Sequence, residues 1–295
     1  MIWENLREEE FDAAIERSGG LCILPMGCLE KHGQHLPVGT DYIETISIVN
    51  AALEIEDAVL FPSCSWLGEV SCFHACKTPK EKKLRGCIGL KQETLLTLLS
   101  ELCDEIARNG FTKILIVNGH GGNTALLKHF LRCQSYESKN YATAVTSAFA
   151  FGEIDPKRLY KTVISNKKAF PYLDDVDIET LRLFSESGTG GGHADIRDTS
   201  LIMAANESLV APDRYEAESG LSTGASDALI KLGVEVSNSW LANFPNSYEG
   251  YPPHGASANI GRAMKKICAD RLAKIIKALK EDSSSVDAAS ILSDN

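Results

Sequence analysis

Apolar positions along this chain change their period several times, and each change marks an element. Leu21 to Leu24 is an unbroken apolar run, and Ile114 to Val117 repeats it with β-branched residues, the pattern of strands covered on both faces. Ala58 to Phe61 and Tyr141 to Phe149 read as two further strands. Elsewhere the period lengthens to that of a helix. Glu8 to Ser18 carries Phe11, Ala14 and Ile15 on one side, and Ile43 to Leu53 carries Ile46, Val49, Ala52 and Leu53. Glu93 to Asn109 is the most regular segment, with Leu95, Leu99, Leu102, Cys103 and Ile106 in its stripe and Gly110 as the stop. Thr124 to Cys133, Leu201 to Ala205 and a long amphipathic run from Ser257 to Leu279 complete the helices. Asp155 to Leu173 shows no clear period. Helix alternating with strand predicts crossover connections and a parallel sheet.

Three segments between these elements hold the chemistry. The first, Leu24 to Asp41, leaves a strand and packs Glu30, His32, His35 and Asp41 among Gly and Pro. Carboxylate oxygen with imidazole nitrogen is a ligand mix that Zn²⁺ and Mn²⁺ accept. A helix opening after Asp41 directs its N–H groups and positive dipole end at that carboxylate. The second segment, Asn118-Gly119-His120-Gly121-Gly122-Asn123, follows the Ile114 to Val117 strand and precedes a helix. Its glycines let backbone approach a ligand closely, and it has neither the Lys-Ser/Thr pair nor the G-x-G-x-x-G spacing of a nucleotide loop. The third, Gly188 to Ser200, places four glycines before His193 and is either a site loop or a linker between halves.

Composition narrows the class of substrate. With 40 acidic against 30 basic residues in 295, the formal charge is −10, which argues against nucleic acid as a partner and for a small molecule. Met1 to Phe11 has no apolar core of a signal peptide, and no stretch reaches the ~18 apolar residues of a membrane span. Nine scattered cysteines, several within apolar runs, read as reduced thiols of a cytoplasmic protein. Two local clusters allow more than one reading. Cys72, His74 and Cys76 form either a C-x-H-x-C chelate or a loop with buried thiols. The basic run Lys77, Lys80, Lys82, Lys83 and Arg85 either attracts an anion or is simply solvated. Trp240, Phe244, Tyr248 and Tyr251 suit a lid or an oligomer contact.

Taken together, Leu24-Pro25-x-Gly27-x-x-Glu30-x-His32-Gly33-x-His35-Leu36-Pro37-x-x-Thr40-Asp41, then Asn118 to Asn123, then His193-Ala194-x-x-x-Asp198-Thr199-Ser200 resemble the motifs of the creatininase (creatinine amidohydrolase) family. The resemblance implies an α/β fold, a single-domain three-layer sandwich with a mixed, mostly parallel Rossmann-like sheet, over residues 1–280. Residues 281–295 are then a flexible tail. It implies two divalent ions, Zn²⁺ first and Mn²⁺ second, and a homo-oligomer, commonly a hexamer. By the same resemblance Glu30, Asp41 and His120 hold one ion, His32 holds the other with Asp41 bridging, and Asp198 completes the second. His193 then matches the catalytic His that moves a proton to the leaving group, and metal-activated hydroxide attacks the carbonyl of a small polar cyclic amide or other C–N substrate. His35, Trp66, His74, Gly121, Gly122 and Asn123 fall to substrate contact or support of the ligands.

This chain departs from the family pattern in three places. Gly122 stands where creatininase has a ligand Glu, Asp198 stands where other members have a longer Glu, and Gly121 and Gly122 replace the residues beside the ligand His. These changes argue against creatinine itself. Three other readings fit the residues: ring opening of a sugar- or inositol-derived ketone by C–C cleavage, a non-catalytic metal-binding assembly protein, and hydrolysis with Cys28 as nucleophile beside His32.

Overall fold

The computed structural model of the protein describes residues 1–70 and 85–285. Four strands form the sheet: β1 (Leu21–Met26), β2 (Val59–Leu60), β3 (Lys113–Asn118) and β4 (Ala142–Ser147), in the order β2-β1-β3-β4. Every pairing in it is parallel, so among the described residues the expected mixed character is absent. A sheet covered on both sides needs apolar residues facing both ways, which is why β1 and β3 read as unbroken runs.

Alternate strand residues divide the core in two. Leu21, Ile23, Leu115 and Val117 pack with α2 (Thr40–Leu53), α7 (Ile196–Asn206) and the long C-terminal helix α10 (Ala258–Glu281). Cys22, Leu24, Met26, Ile114 and Ile116 pack on the other face with α1 (Phe11–Arg17), α3 (Gln92–Arg108) and α4 (Asn123–Gln134). The result is a helix–sheet–helix sandwich. All the described cysteines are free thiols, and four of them line these two clusters. No helix among the described residues is long and apolar enough to cross a membrane.

Several boundaries differ from the sequence reading. The stretch from Asp155 contains helix α5 (Pro156–Ser165), begun by the Asp155 side chain accepting from the N–H groups of Lys157 and Arg158. Helix α6 (Asp175–Ser187) was not expected, because four acidic residues break its stripe; an Asp174–Asp177 capping box opens it and Gly188 closes it in the left-handed region. The helix expected at Leu201 starts five residues earlier, at Ile196, under an Asp195 cap. Short helices α8 (Asp227–Ile230) and α9 (Ser239–Asn243) follow within the irregular segment. The C-terminal helix runs to Glu281, two residues past the expected Leu279, and residues 286–295 lie outside the described residues.

Candidate metal centre and active site

In the register of the sheet Met26 pairs with Asn118, so β1 and β3 end side by side and release their loops at one point. Carboxyl ends of parallel strands are where such folds place ligands. The β1 loop brings Cys28, Glu30 and His32, the first turn of α2 brings Asp41, and the β3 loop brings His120. Gly119 is required between them: a Cβ there would lie 1.7 Å from the Thr45 hydroxyl of α2, so a larger residue would push the β3 end away from Asp41.

Four of these groups meet directly. His120 Nδ1 lies 2.9 Å from Asp41 Oδ2 and 3.5 Å from Glu30 Oε2, and His32 Nε2 lies 3.4 Å from Asp41 Oδ1. Asp41 therefore sits between the two imidazoles. His32 Nδ1 faces the Glu30 carbonyl at 3.1 Å; a carbonyl only accepts, so Nδ1 carries a proton and Nε2 is the ring atom turned to the cluster. Cys28 Sγ donates to Asp41 Oδ2 at 3.0 Å.

The third segment closes the cluster from the far side. The His193 ring lies over His32 with centroids 3.9 Å apart, and its Nε2–H donates to the Lys31 carbonyl at 3.0 Å. Nε2 is 4.0 Å from Glu30 Oε2. Ala194, next to it, holds the left-handed region at φ 63°, unusual for a residue with a Cβ. Both of its backbone groups are fixed: its N–H donates to Asp198 Oδ2 at 2.6 Å, and its carbonyl accepts from His35 Nε2 at 2.8 Å.

That arrangement gives Asp198 a different place from the expected one. Its second oxygen accepts from Arg197 Nε at 2.8 Å, so both oxygens are engaged in holding the loop and its flanking helix. Asp198 belongs to neither of the two groups of side chains whose ligand atoms cluster within 4.8 Å, which are Cys28, Glu30, Asp41 and His120, and Glu30, His32 and His193. The reason is length and position: on the first turn of α7 the short carboxylate is satisfied locally before it reaches the cluster. His193, expected to act on a proton, is the group that joins Glu30 and His32.

Burial and charge set the ionisation of these groups. Burial opposes the charged forms of His32 and His120, yet the Asp41 and Glu30 carboxylates outweigh it and push both imidazoles up to about 9. Burial likewise works against Asp41 ionising, but the two imidazoles hold its carboxyl well below the usual range. His193 is lowered by burial and then by the positive His32 beside it, which keeps it neutral at pH 7. Cys28 is pushed up by burial, Asp41 and Glu30. A pocket in which two carboxylates and two imidazoles are nearly sealed from water fits a divalent cation, because such charges are stable there only when paired.

Glu30, Asp41, His120 and His193 line a cavity of about 980 Å³. Gly121 and Gly122 line it, and its walls include Leu127, Phe149, Phe151 and Trp240. Trp66 is 39% exposed and does not line it; Trp240 does, edge-on to His193 at 5.1 Å, with its indole N–H on Glu249 Oε2 at 2.8 Å. Glu249 also pairs with His193 backbone to backbone. Asn123 does not line the cavity. It is a fully buried brace whose Oδ1 accepts from the Glu69 N–H and whose Nδ2 donates to the Gly27 carbonyl and Asn118 Oδ1. His35 buttresses the Ala194 loop, and His74 with Cys72, Cys76 and the basic run up to Lys83 lies outside the described residues. Sequence reasoning passed over Arg197 and the buried Glu44, although each stands within three residues of an expected ligand, and over Glu249, which no nearby site residue marks.

The fold and this cluster define an α/β protein with a candidate metal centre at the carboxyl ends of its parallel strands. A model of the creatininase family, described as creatinine amidohydrolase, matches residues 4–276, and the chain belongs to that family. Creatinine amidohydrolase of Pseudomonas putida is 24% identical over 119 residues, 40% of this chain and 44% of that protein. The mycofactocin precursor peptide peptidase of Mycobacterium tuberculosis is 31% identical over 108 residues, 36% of this chain and 42% of that protein. The chain thus spans under half the length of the curated relatives it matches. Among solved structures, a creatininase variant of zinc–zinc type superposes with a TM-score of 0.67 at 20% identity, over 95% of this chain and 98% of that one. At that identity the likeness shows the fold.

Proposed function

We propose that this chain is a metal-dependent amidohydrolase that cleaves a C–N bond in a small polar substrate other than creatinine, with a cyclic amide or a peptide-like amide as the substrate class. The observation that carries the reading is the meeting of Glu30, Asp41, His32 and His120 at the joint end of β1 and β3, beside a cavity that Glu30, Asp41, His120 and His193 line. Kinship with both a creatinine amidohydrolase and a peptide peptidase supports a C–N bond, and the apolar walls of the cavity support a substrate with more bulk than one small ring. Cytoplasmic location, on the reduced cysteines, and homo-oligomeric assembly, on the family resemblance alone, belong to the proposal.

Glu30, Asp41 and His120 would hold one divalent ion, with His32 and His193 facing the adjoining space. When bound, such an ion supplies Lewis acidity and makes water a nucleophile near neutral pH. The chain does the rest. Asp41 orients both imidazoles, and the Gly119 to Asn123 loop lets a substrate carbonyl come close to backbone N–H groups where negative charge develops. His193 is neutral with Nε2–H fixed on the Lys31 carbonyl, which leaves Nδ1 as its basic nitrogen and suits it to carry a proton to the leaving amine. Trp240 stands edge-on to that ring on the cavity wall.

Chelator treatment followed by metal return tests the reading on a panel of lactams, formamides and short peptides, scored by amine release. Activity that falls with metal removal and returns with Zn²⁺ or Mn²⁺ supports it, and His193→Gln is expected to lower kcat by about 10²–10⁴-fold with metal content unchanged. Acid formation from cyclic ketones without amine release would favour C–C cleavage instead.

A further inference from the structure

Cys28 has no part in the mechanism above, yet its sulfur lies inside the metal cluster. The residue directly follows the β1 strand end and Gly27, is wholly buried, and places Sγ 3.0 Å from Asp41 Oδ2. With Glu30, Asp41 and His120 it forms a set of four side chains whose ligand atoms all lie within 4.8 Å of one another. Its position is pinned from behind. A Cβ on Gly68 would fall 2.0 Å from the Gly27 carbonyl oxygen and 2.9 Å from Cys28 Cβ, so the 67–68 backbone presses on the 27–28 backbone and leaves the thiol facing the carboxylates.

A nucleophilic role does not suit this thiol, because two carboxylates and burial disfavour the thiolate when no cation is present. A ligand role does. Ligand atoms around a tetrahedral zinc ion sit roughly 3.3–3.8 Å apart, given Zn–S of about 2.3 Å and Zn–N or Zn–O of about 2.0–2.2 Å. The three separations of 2.9, 3.0 and 3.5 Å among these side chains already lie at or inside that spacing. We propose that the Cys28 thiolate is the fourth ligand of the ion held by Glu30, Asp41 and His120, and that it selects zinc over manganese at that position. The proposal rests on reading the cluster as a metal centre. On binding, the Sγ–H bond breaks, its proton leaves to solvent, and the sulfur lone pair that remains forms the bond to the ion. Sulfur is a soft donor that zinc accepts and manganese disfavours, so a cluster otherwise made of oxygen and imidazole nitrogen becomes discriminating.

Cobalt titration of the metal-depleted full chain reads the sulfur directly. We expect thiolate-to-cobalt charge-transfer absorption in the near ultraviolet that saturates with the first equivalent and is lost in Cys28→Ser, which still binds cobalt. The preference for zinc over manganese, measured by competition, is expected to fall at least tenfold in that variant. Cobalt bound by the unaltered chain without the band, or a band that survives in Cys28→Ser, overturns the thiolate ligand and leaves the metal centre standing. Failure to bind cobalt at all overturns both. Zinc K-edge absorption of the loaded unaltered chain tests the same point without a variant: one sulfur neighbour at about 2.3 Å supports it and none overturns it.

Discussion

Asp41 shows how one residue takes its meaning from its neighbours. It is a short carboxylate on a helix's first turn, and its two oxygens divide between His32 on one side and His120 with Cys28 on the other. The candidate ligands Glu30, His32, Asp41 and His120 stood out as acidic and imidazole side chains among Gly and Pro right after apolar runs, and it was the family resemblance that made them a ligand set. Glu44 was not legible. It lies one turn past Asp41, is 1% exposed, and its Oε1 has no hydrogen-bond partner among the described residues. Burial and the nearby Asp198 and Asp41 raise its carboxyl well above the usual range. A carboxyl raised in the folded state weakens folding above its unfolded value, and increasingly so as pH climbs toward the folded one. Glu44→Gln is therefore expected to stabilise the protein at pH 8 by about 1–3 kcal/mol with little gain near pH 4, read as a rise of a few degrees in Tm. An equal shift at both pH values would contradict this account.

Elements act here through where they end. β1 and β3 deliver their loops together because their register is fixed over six pairs, and α4 begins at once with Asn123, whose amide ties the two loops and the 69 segment. Sequence periodicity located these strands to within a few residues. It could not say that Asn123 braces rather than binds substrate, since an amide before a helix looks the same in either role. Asn123→Ala leaves buried partners unsatisfied at Glu69, Gly27 and Asn118, so urea denaturation should show a loss of roughly 2–4 kcal/mol, accompanied by weaker metal retention. The helix start at Ile196 is the instructive difference. Asp195 caps it, so Asp198 falls in its first turn beside Arg197 and supports Ala194, where an extended loop would have let it turn toward the cluster.

For the whole molecule, the sandwich seals two carboxylates whose charge either protonated imidazoles or a bound cation can balance. His32 and His120 stand at about 9 without metal, well above their unfolded value near 6.5. Their pairing with the carboxylates therefore stabilises the metal-free fold fully below pH ~6.5 and is lost as pH rises through about 9. Metal binding has to displace those protons, so affinity is expected to climb by up to about tenfold per pH unit for each imidazole below pH 9 and then level off. Calorimetry with and without chelator at pH 6, 7.5 and 9 should find the metal-bound and metal-free Tm values moving apart as pH rises. A gap that stays constant would place the imidazoles outside the ligand set.

The amino-acid sequence alone determined the covered parallel strands, the main helices and the loops that carry acidic and imidazole groups, because burial periodicity and loop composition are properties of neighbours along the chain. Only the folded arrangement decided which groups share the cluster. It drew His193 and Cys28 in, turned Asp198 to the service of Ala194, and put Trp240 rather than Trp66 on the cavity wall. Those outcomes depend on distances between segments 13 to more than 150 residues apart, set by sheet register and helix capping, and no local pattern of residues encodes them.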